Sequence, residues 1–240
     1  MLASVIAPPP NALWRVVHDL CVTDRRITGA PAPCMSVSLK SGWAVVKDPN
    51  QPTHILLVPL QRIAGIESPR LLNPDAPNYW QGAWEARRSF EHLVGQPVPR
   101  EDIALVINSV TGRTQDQLHI HIDCIKPKIA RVLRNHAPRI GLRWRSLGVP
   151  LEGRRVLVRR LDGADFGSRD PFKLLAEGAP GARAAMGDET LAAVGAVFPG
   201  GGKGFILISR RAHPAAGDLG SGEEILDHRC QILTPSGKRS

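Results

Sequence analysis

His119 and His121 lie two residues apart in the stretch GRTQDQLHIHIDC at 112–124, in a chain with eight histidines. Polar and apolar residues alternate there with a period of two. On a strand, Gln117, His119 and His121 therefore share one face, and Leu118, Ile120 and Ile122 share the other. The apolar set predicts the core side and leaves the histidines a polar, accessible surface. Paired histidines at this spacing fit a structural pair, a metal pair or a catalytic pair, and the spacing alone leaves all three open. The residues just upstream narrow the choice. Gly112 permits close backbone approach, Arg113 supplies a guanidinium and Thr114 a hydroxyl. That set suits a phosphoryl group, whereas a metal would favour Asp or Glu nearby. A neutral imidazole is a competent nucleophile near pH 7, its unperturbed pKa being about 6.5. Phosphoryl or nucleotidyl transfer through a histidine is the leading reading.

The elements that must hold these residues are legible as an α+β pattern. NALWRVVHDL spaces Leu13, Trp14, Val17 and Leu20 as one face of a short helix entering Cys21. WAVVK at 43–47 and HILLV at 54–58, separated by the turn-forming DPNQPT, predict an antiparallel hairpin. Asn78, with Gln81 three residues on, predicts the capped start of a helix carrying Trp80, Trp84, Phe90 and Leu93 to Gly95. IALVINS at 103–109 reads as a buried strand, and Asp116–Cys124 as the histidine strand. Loop follows around 143–153, then a strand over Val156–Leu161. Asp170 and Pro171 start a second helix. Leu191–Phe198 and Gly204–Ser209 form a hairpin whose tip is PGGGKGF. That tip lacks the spacing and the Ser or Thr of a nucleotide-binding phosphate loop. Ser221 and Glu224 predict a further capping box. The sheet is expected to be mainly antiparallel, with a catalytic half at 1–142 and an α+β extension at 143–240 packed on the same domain.

At 240 residues and 42% hydrophobic content the chain can bury a substantial core. Its apolar runs are too short to cross a bilayer. Of the net charge of +9, essentially all comes from residues 126–160, with eleven Lys and Arg against the single acid Glu152. Such a patch is either a solvated face or a surface for anionic phosphates, in lipid headgroups or nucleic acid. With one Tyr, five Trp and five Phe and no recognisable RNA- or DNA-binding motif, nucleic acid is the weaker partner. Four cysteines without a CxxC motif fit two disulfides or four buried thiols, and do not support structural zinc.

INSVTGRTQDQLHIHIDC at 107–124, PTHILLVP at 52–59, NYWQGAWEARRSF at 78–90, PFKLLAEGAP and the late EEILDHRCQIL at 223–233 together resemble the CDP-diacylglycerol pyrophosphatases, members of the histidine-triad (HIT) superfamily. The resemblance spans nearly the whole chain. It implies a HIT-like fold, no cofactor, and hydrolysis of a lipid-linked nucleotide, CDP-diacylglycerol, to CMP and phosphatidate. It maps the nucleophile onto His119, which would form a nucleotidyl-histidine, and a phosphate-stabilising role onto His121. The phosphate-contacting hydroxyl falls on Thr114, the strand-end asparagine on Asn108 and the early-strand histidine on His54. Arg113 joins the substrate-binding set from its own chemistry. One departure stands out: the first triad histidine is Gln117, which exchanges hydrogen bonds but carries no proton.

The resemblance also implies a bacterial inner-membrane protein whose anchor is absent from this chain. Its catalytic domain would face the periplasm, with the basic segment against anionic lipid and Cys124–Cys230 and Cys21–Cys34 as disulfides. His18, His92, His136, His213 and His228 show no convergent partner and read as structural. Three rivals make different predictions: a hydrolase or transferase of other nucleoside diphosphate derivatives, a binding module without turnover, and a metal hydrolase using His54, His119 and His121.

Overall fold

The computed structural model describes residues 8–234. A nine-stranded sheet, antiparallel at every pairing, forms its centre, in the order β1-β2-β3-β5-β4-β8-β9-β7-β6. The strands are β1 (Ser36–Ser38), β2 (Trp43–Lys47), β3 (Ile55–Pro59), β4 (Ile103–Ile107) and β5 (Ile120–Cys124), then β6 (Arg145–Ser146), β7 (Leu157–Asp162), β8 (Glu189–Val197) and β9 (Lys203–Arg211). The expected α+β class is what the structure shows. Strands from before and after residue 142 share this one sheet, because β4 pairs with β8 from Ala104↔Val194 to Ile107↔Leu191.

The helices divide between the two faces. α1 (Ala12–Arg15) and α2 (Thr23–Ile27) flank a π-helical stretch, Val16–Val22. α3 (Tyr79–Val94), α4 (Pro127–His136) and α5 (Pro171–Gly178) follow. One face of the sheet, with Leu57, Leu105, Ile120, Ile122, Ala193 and Leu207, packs under α3 and α5 as the largest core cluster. α3 begins where Asn78 Oδ1 accepts the Gln81 N–H at 3.2 Å and ends at Gly95 with φ 81°, the left-handed stop that glycine adopts without steric cost. Asp170 caps α5 by accepting the Phe172 N–H at 2.8 Å.

The opposite face is covered unevenly. Register partners on adjacent strands point to the same side, which defines a row across seven strands: Val46, Leu56, His121, Val106, Ala192, Ile208 and Val158. Val46 and Leu56 lie in or against the cluster under the N-terminal helical segment, with Val17 and Cys21. Val106, Ala192, Ile208 and Val158 lie in the cluster under α4, with Ile129 and Leu133. His121 stands between the two covers and is the one polar member of the row.

Four local expectations change. β5 begins at Ile120 rather than Asp116, because the preceding residues bond to the 59–63 loop instead of a neighbouring strand: Leu118 N–H donates to Ile63 O at 2.6 Å, and Gln117 Nε2 donates to the carbonyls of Pro59 and Gln61 at 3.1 and 2.9 Å. Leu20 is exposed, since the wider π turn directs Val17, Cys21 and Val22 inward instead. No capping box forms at Ser221; Gly222–Ile225 is a 3₁₀ turn without a side-chain cap bond, its carboxylates drawn to Asn108 and Arg210. The histidine face is not an accessible surface either, for His119 is 7% and His121 4% exposed. The disulfides Cys21–Cys34 and Cys124–Cys230 are both present.

Candidate active site

Between the two covers lies a cavity of about 610 Å³ lined by His54, Asn108, Thr114, His119, His121 and Glu223. Its other wall is apolar, with Leu13, Val16, Val46 and Leu56. The volume falls in the range that encloses one drug-sized ligand.

The hydrogen bonds fix the protons of the histidines. His119 Nδ1 lies 2.7 Å from the Gln117 carbonyl. A carbonyl only accepts, so Nδ1 carries the proton and Nε2 keeps its lone pair. His54 Nδ1 lies 3.0 Å from Asp48 Oδ2, and the carboxylate likewise makes it the donor. His54 Nε2 must then accept from His121 Nδ1 at 2.9 Å. That leaves His121 Nε2 as an acceptor, 3.3 Å from Asn108 Nδ2 and 3.5 Å from Glu223 Oε1. The Asn108 amide also donates to Glu223 Oε1 at 2.8 Å, while its oxygen accepts the Gly222 N–H at 2.7 Å. The relay runs Asp48, His54, His121, Asn108.

Burial pushes the His119 imidazole below its ordinary value, and lowers His121 well below it with help from the other histidines. Both rings are therefore neutral near pH 7. The His54 hydrogen bond holds the Asp48 carboxyl below its usual range. His228 goes the other way, raised by its 2.7 Å bond to Asp123 Oδ2. Its ring lies 4.8 Å from that of His54.

Donor atoms of His54, His121 and Glu223 come within 4.8 Å of one another. Both nitrogens of His54 and Nδ1 of His121 are engaged in hydrogen bonds in this arrangement, which leaves His121 Nε2 and the Glu223 carboxylate as the atoms of the group that face the cavity.

The structure brings His54, Asn108, Thr114, His119 and His121 to one cavity and holds two other candidates apart from its lining. Arg113 is engaged with Glu67 at 2.6 Å and with Asp116 at 3.1 and 3.0 Å. Gln117 is fully buried, its Nε2 spent on two carbonyls and its Oε1 without a partner among the described residues. Sequence reasoning missed Asp48, Asp123 and Glu223 and set His228 aside.

Glu223 and His228 come from a segment docked against 107–112. Ser109 N–H donates to Gly220 O at 3.1 Å, and its hydroxyl to Leu219 O at 2.7 Å. A Cβ on Gly112 would meet Gly220 O at 2.4 Å, so no larger residue permits this approach. Farther along, the Cys124–Cys230 disulfide holds the segment to the end of β5.

Residues 8–234 match the family model described as CDP-diacylglycerol pyrophosphatase. The chain belongs to that family. A CDP-diacylglycerol pyrophosphatase from Yersinia pestis is 40% identical over 223 residues, covering 93% of this chain and 85% of the relative. The protein is thus a hydrolase of CDP-diacylglycerol, a substrate with a diphosphate at its centre.

Proposed function

We propose that the protein hydrolyses CDP-diacylglycerol to CMP and phosphatidate in two steps through His119, by histidine-triad-like chemistry without a metal. The Nε2 lone pair attacks the cytidine-side phosphorus, the bond to the bridging oxygen breaks, and phosphatidate leaves with the electron pair. Water then cleaves the phosphorus–nitrogen bond and releases CMP. The observation that carries this reading is the Gln117 carbonyl on His119 Nδ1. It fixes the tautomer that keeps Nε2 free, and burial keeps that nitrogen unprotonated. Gln117 supplies no proton to the leaving group, and a phosphate monoester needs none to depart. Thr114 and Asn108 border the phosphate position, and the cavity encloses the nucleotide end while the acyl chains remain in the lipid phase.

The test is CMP release from CDP-diacylglycerol in detergent, with and without EDTA, beside His119→Ala. EDTA-resistant release that vanishes in the variant supports the reading; loss of activity with chelator refutes it. Running deacylated CDP-glycerol in parallel separates a lipid enzyme from a general nucleoside diphosphate hydrolase.

The reading places the protein at the outer side of a bacterial inner membrane, supported by two disulfides, which persist in oxidising compartments. No helix among the described residues is long and apolar enough to cross a membrane. A surface suited to anionic lipid lies beyond α4. There Arg139, Arg143 and Arg145 are exposed and make no ion pair among the described residues, and Leu142 and Val149 are exposed beside them. Arginines flanking exposed apolar side chains suit an anionic interface. Binding to phosphatidylglycerol vesicles that fails to weaken in Arg143→Glu/Arg145→Glu would remove this contact.

A further inference from the structure

Hydrolysis of a nucleotidyl-histidine requires a group that takes a proton from the attacking water. Gln117 cannot. Among the nearby carboxylates, Asp48 is bound to His54. Asp123 accepts from Thr53, the Cys124 N–H and His228. Glu67 and Asp116 are spent on Arg113. Asp48 and Glu223 both line the cavity, but Glu223 is the one not held by a charged or histidine donor at hydrogen-bond distance; it lies 3.5 Å from His121 Nε2 with its side chain 32% exposed.

Its position has a specific chemical consequence. The proton relay leaves His121 Nε2 as a lone pair, 3.5 Å from Glu223 Oε1. Two acceptors thus lie side by side at the cavity wall, with the Asn108 amide donating to both. An imidazole nitrogen has one lone pair, which the Asn108 amide takes up, whereas a carboxylate has about four acceptor positions, so Glu223 keeps the capacity to accept a proton from a water at the cavity wall. A carboxylate also repels a diphosphate, so its presence here opposes substrate binding and calls for a catalytic return.

We infer that Glu223 is the general base of the hydrolytic half-reaction, a role that rests on the nucleotidyl-histidine reading above. Glu223 removes a proton from the water as the water oxygen bonds to phosphorus. The phosphorus–Nε2 bond breaks, its electron pair returns to His119, and CMP departs. Glu223 then passes its proton to solvent through its exposed side. In this scheme His121 Nε2 is held as the acceptor of the Asn108 amide and does not donate to phosphate.

Glu223→Gln keeps the size and the oxygen that accepts from Asn108 but removes the base. With CDP-diacylglycerol in detergent, steady-state CMP release is expected to fall by roughly two orders of magnitude. KM falls as well, and a CMP adduct on His119 accumulates to near one per enzyme, read by rapid quench and peptide mass. Hydroxylamine, a nucleophile that attacks without prior removal of a proton, restores turnover of that adduct. Wild-type turnover in the variant, or slow turnover with an adduct that forms but does not accumulate, overturns the base role alone. Slow turnover without adduct in the variant, while quenched wild type shows it, moves Glu223 to the first step and also overturns the proposal. An adduct absent from wild type and variant alike removes the histidine intermediate itself. Wild type treated with EDTA and behaving as the variant would make Glu223 a cation ligand instead. Matched thermal unfolding of the two proteins excludes a folding defect.

Discussion

Two ends of one sheet face have opposite fates. Val106, Ala192, Ile208 and Val158 continue the row that contains His121, and they are sealed under Ile129, Ala130 and Leu133 of α4. At His121 the cover stops and a cavity takes its place. The covered end follows the ordinary rule that an apolar face is buried by a helix. The open end keeps three buried histidines, His54 and His121 hydrogen-bonded to each other and His119 to the Gln117 carbonyl, where a continuous core would hold aliphatic side chains. The difference teaches that reactivity here comes from leaving one stretch of a sheet without its helix and satisfying the polar groups there with each other.

The sharpest way to break this division is at its reactive end. His119→Ala is expected to lower CMP release by at least about a thousand-fold, the scale at which nucleophile loss is felt, with little change in stability; retained activity would move the chemistry elsewhere. At the covered end the effects should be reversed. Leu133→Ala removes a side chain only 2% exposed and should cost about 2–5 kcal/mol by denaturant unfolding, while folded enzyme keeps its kcat within about twofold. A large kcat loss in folded Leu133→Ala would couple the two ends.

Cys124→Ser/Cys230→Ser tests the joint between them. Unfolding free energy should drop by about 2–5 kcal/mol, and CMP release should fall severalfold because Glu223 and His228 lose their covalent hold. Stability lost without any change in activity would show that the 107–112 contacts suffice.

Acid sensitivity should be the smallest effect and should belong to the open end. Because His119 and His121 have lowered values in the folded protein, the unfolded chain binds more protons as pH falls below about 6.5, and stability declines there. His228, raised by Asp123, contributes in the opposite direction: its share is present below about 6.5 and is lost as pH rises through its folded value. Denaturant midpoints across pH should therefore show His228→Gln losing stability mainly on the acid side. A uniform loss at every pH would assign its effect to packing.

Much of this architecture was legible in period and punctuation. The WAVVK and HILLV hairpin, the Asn78-to-Gly95 helix and the Asp170 start all depend on neighbours in sequence, and they formed as their local chemistry dictates. What escaped depended on distant partners. Gln117 is pulled out of the strand by the carbonyls of Pro59 and Gln61, and Glu224 leaves its expected capping position for Arg210. His228 is instructive: the expected Cys124–Cys230 bond already placed it two residues from a cysteine joined to the histidine strand. Asp48 gave no such signal, because DPNQPT reads fully as a turn.

The Cys124–Cys230 ring, with its separation of 106 residues, also has a temporal meaning. A ribosome completes His54, Asn108 and His119 long before it reaches Glu223 and His228, and the intervening chain carries β6 to β9. His119 is thus synthesised well before Glu223 and His228. The cavity is complete only when the last segment docks against Gly112, so the finished fold acts as its own quality mark: an incomplete chain carries His119 without the Glu223 side of the cavity wall.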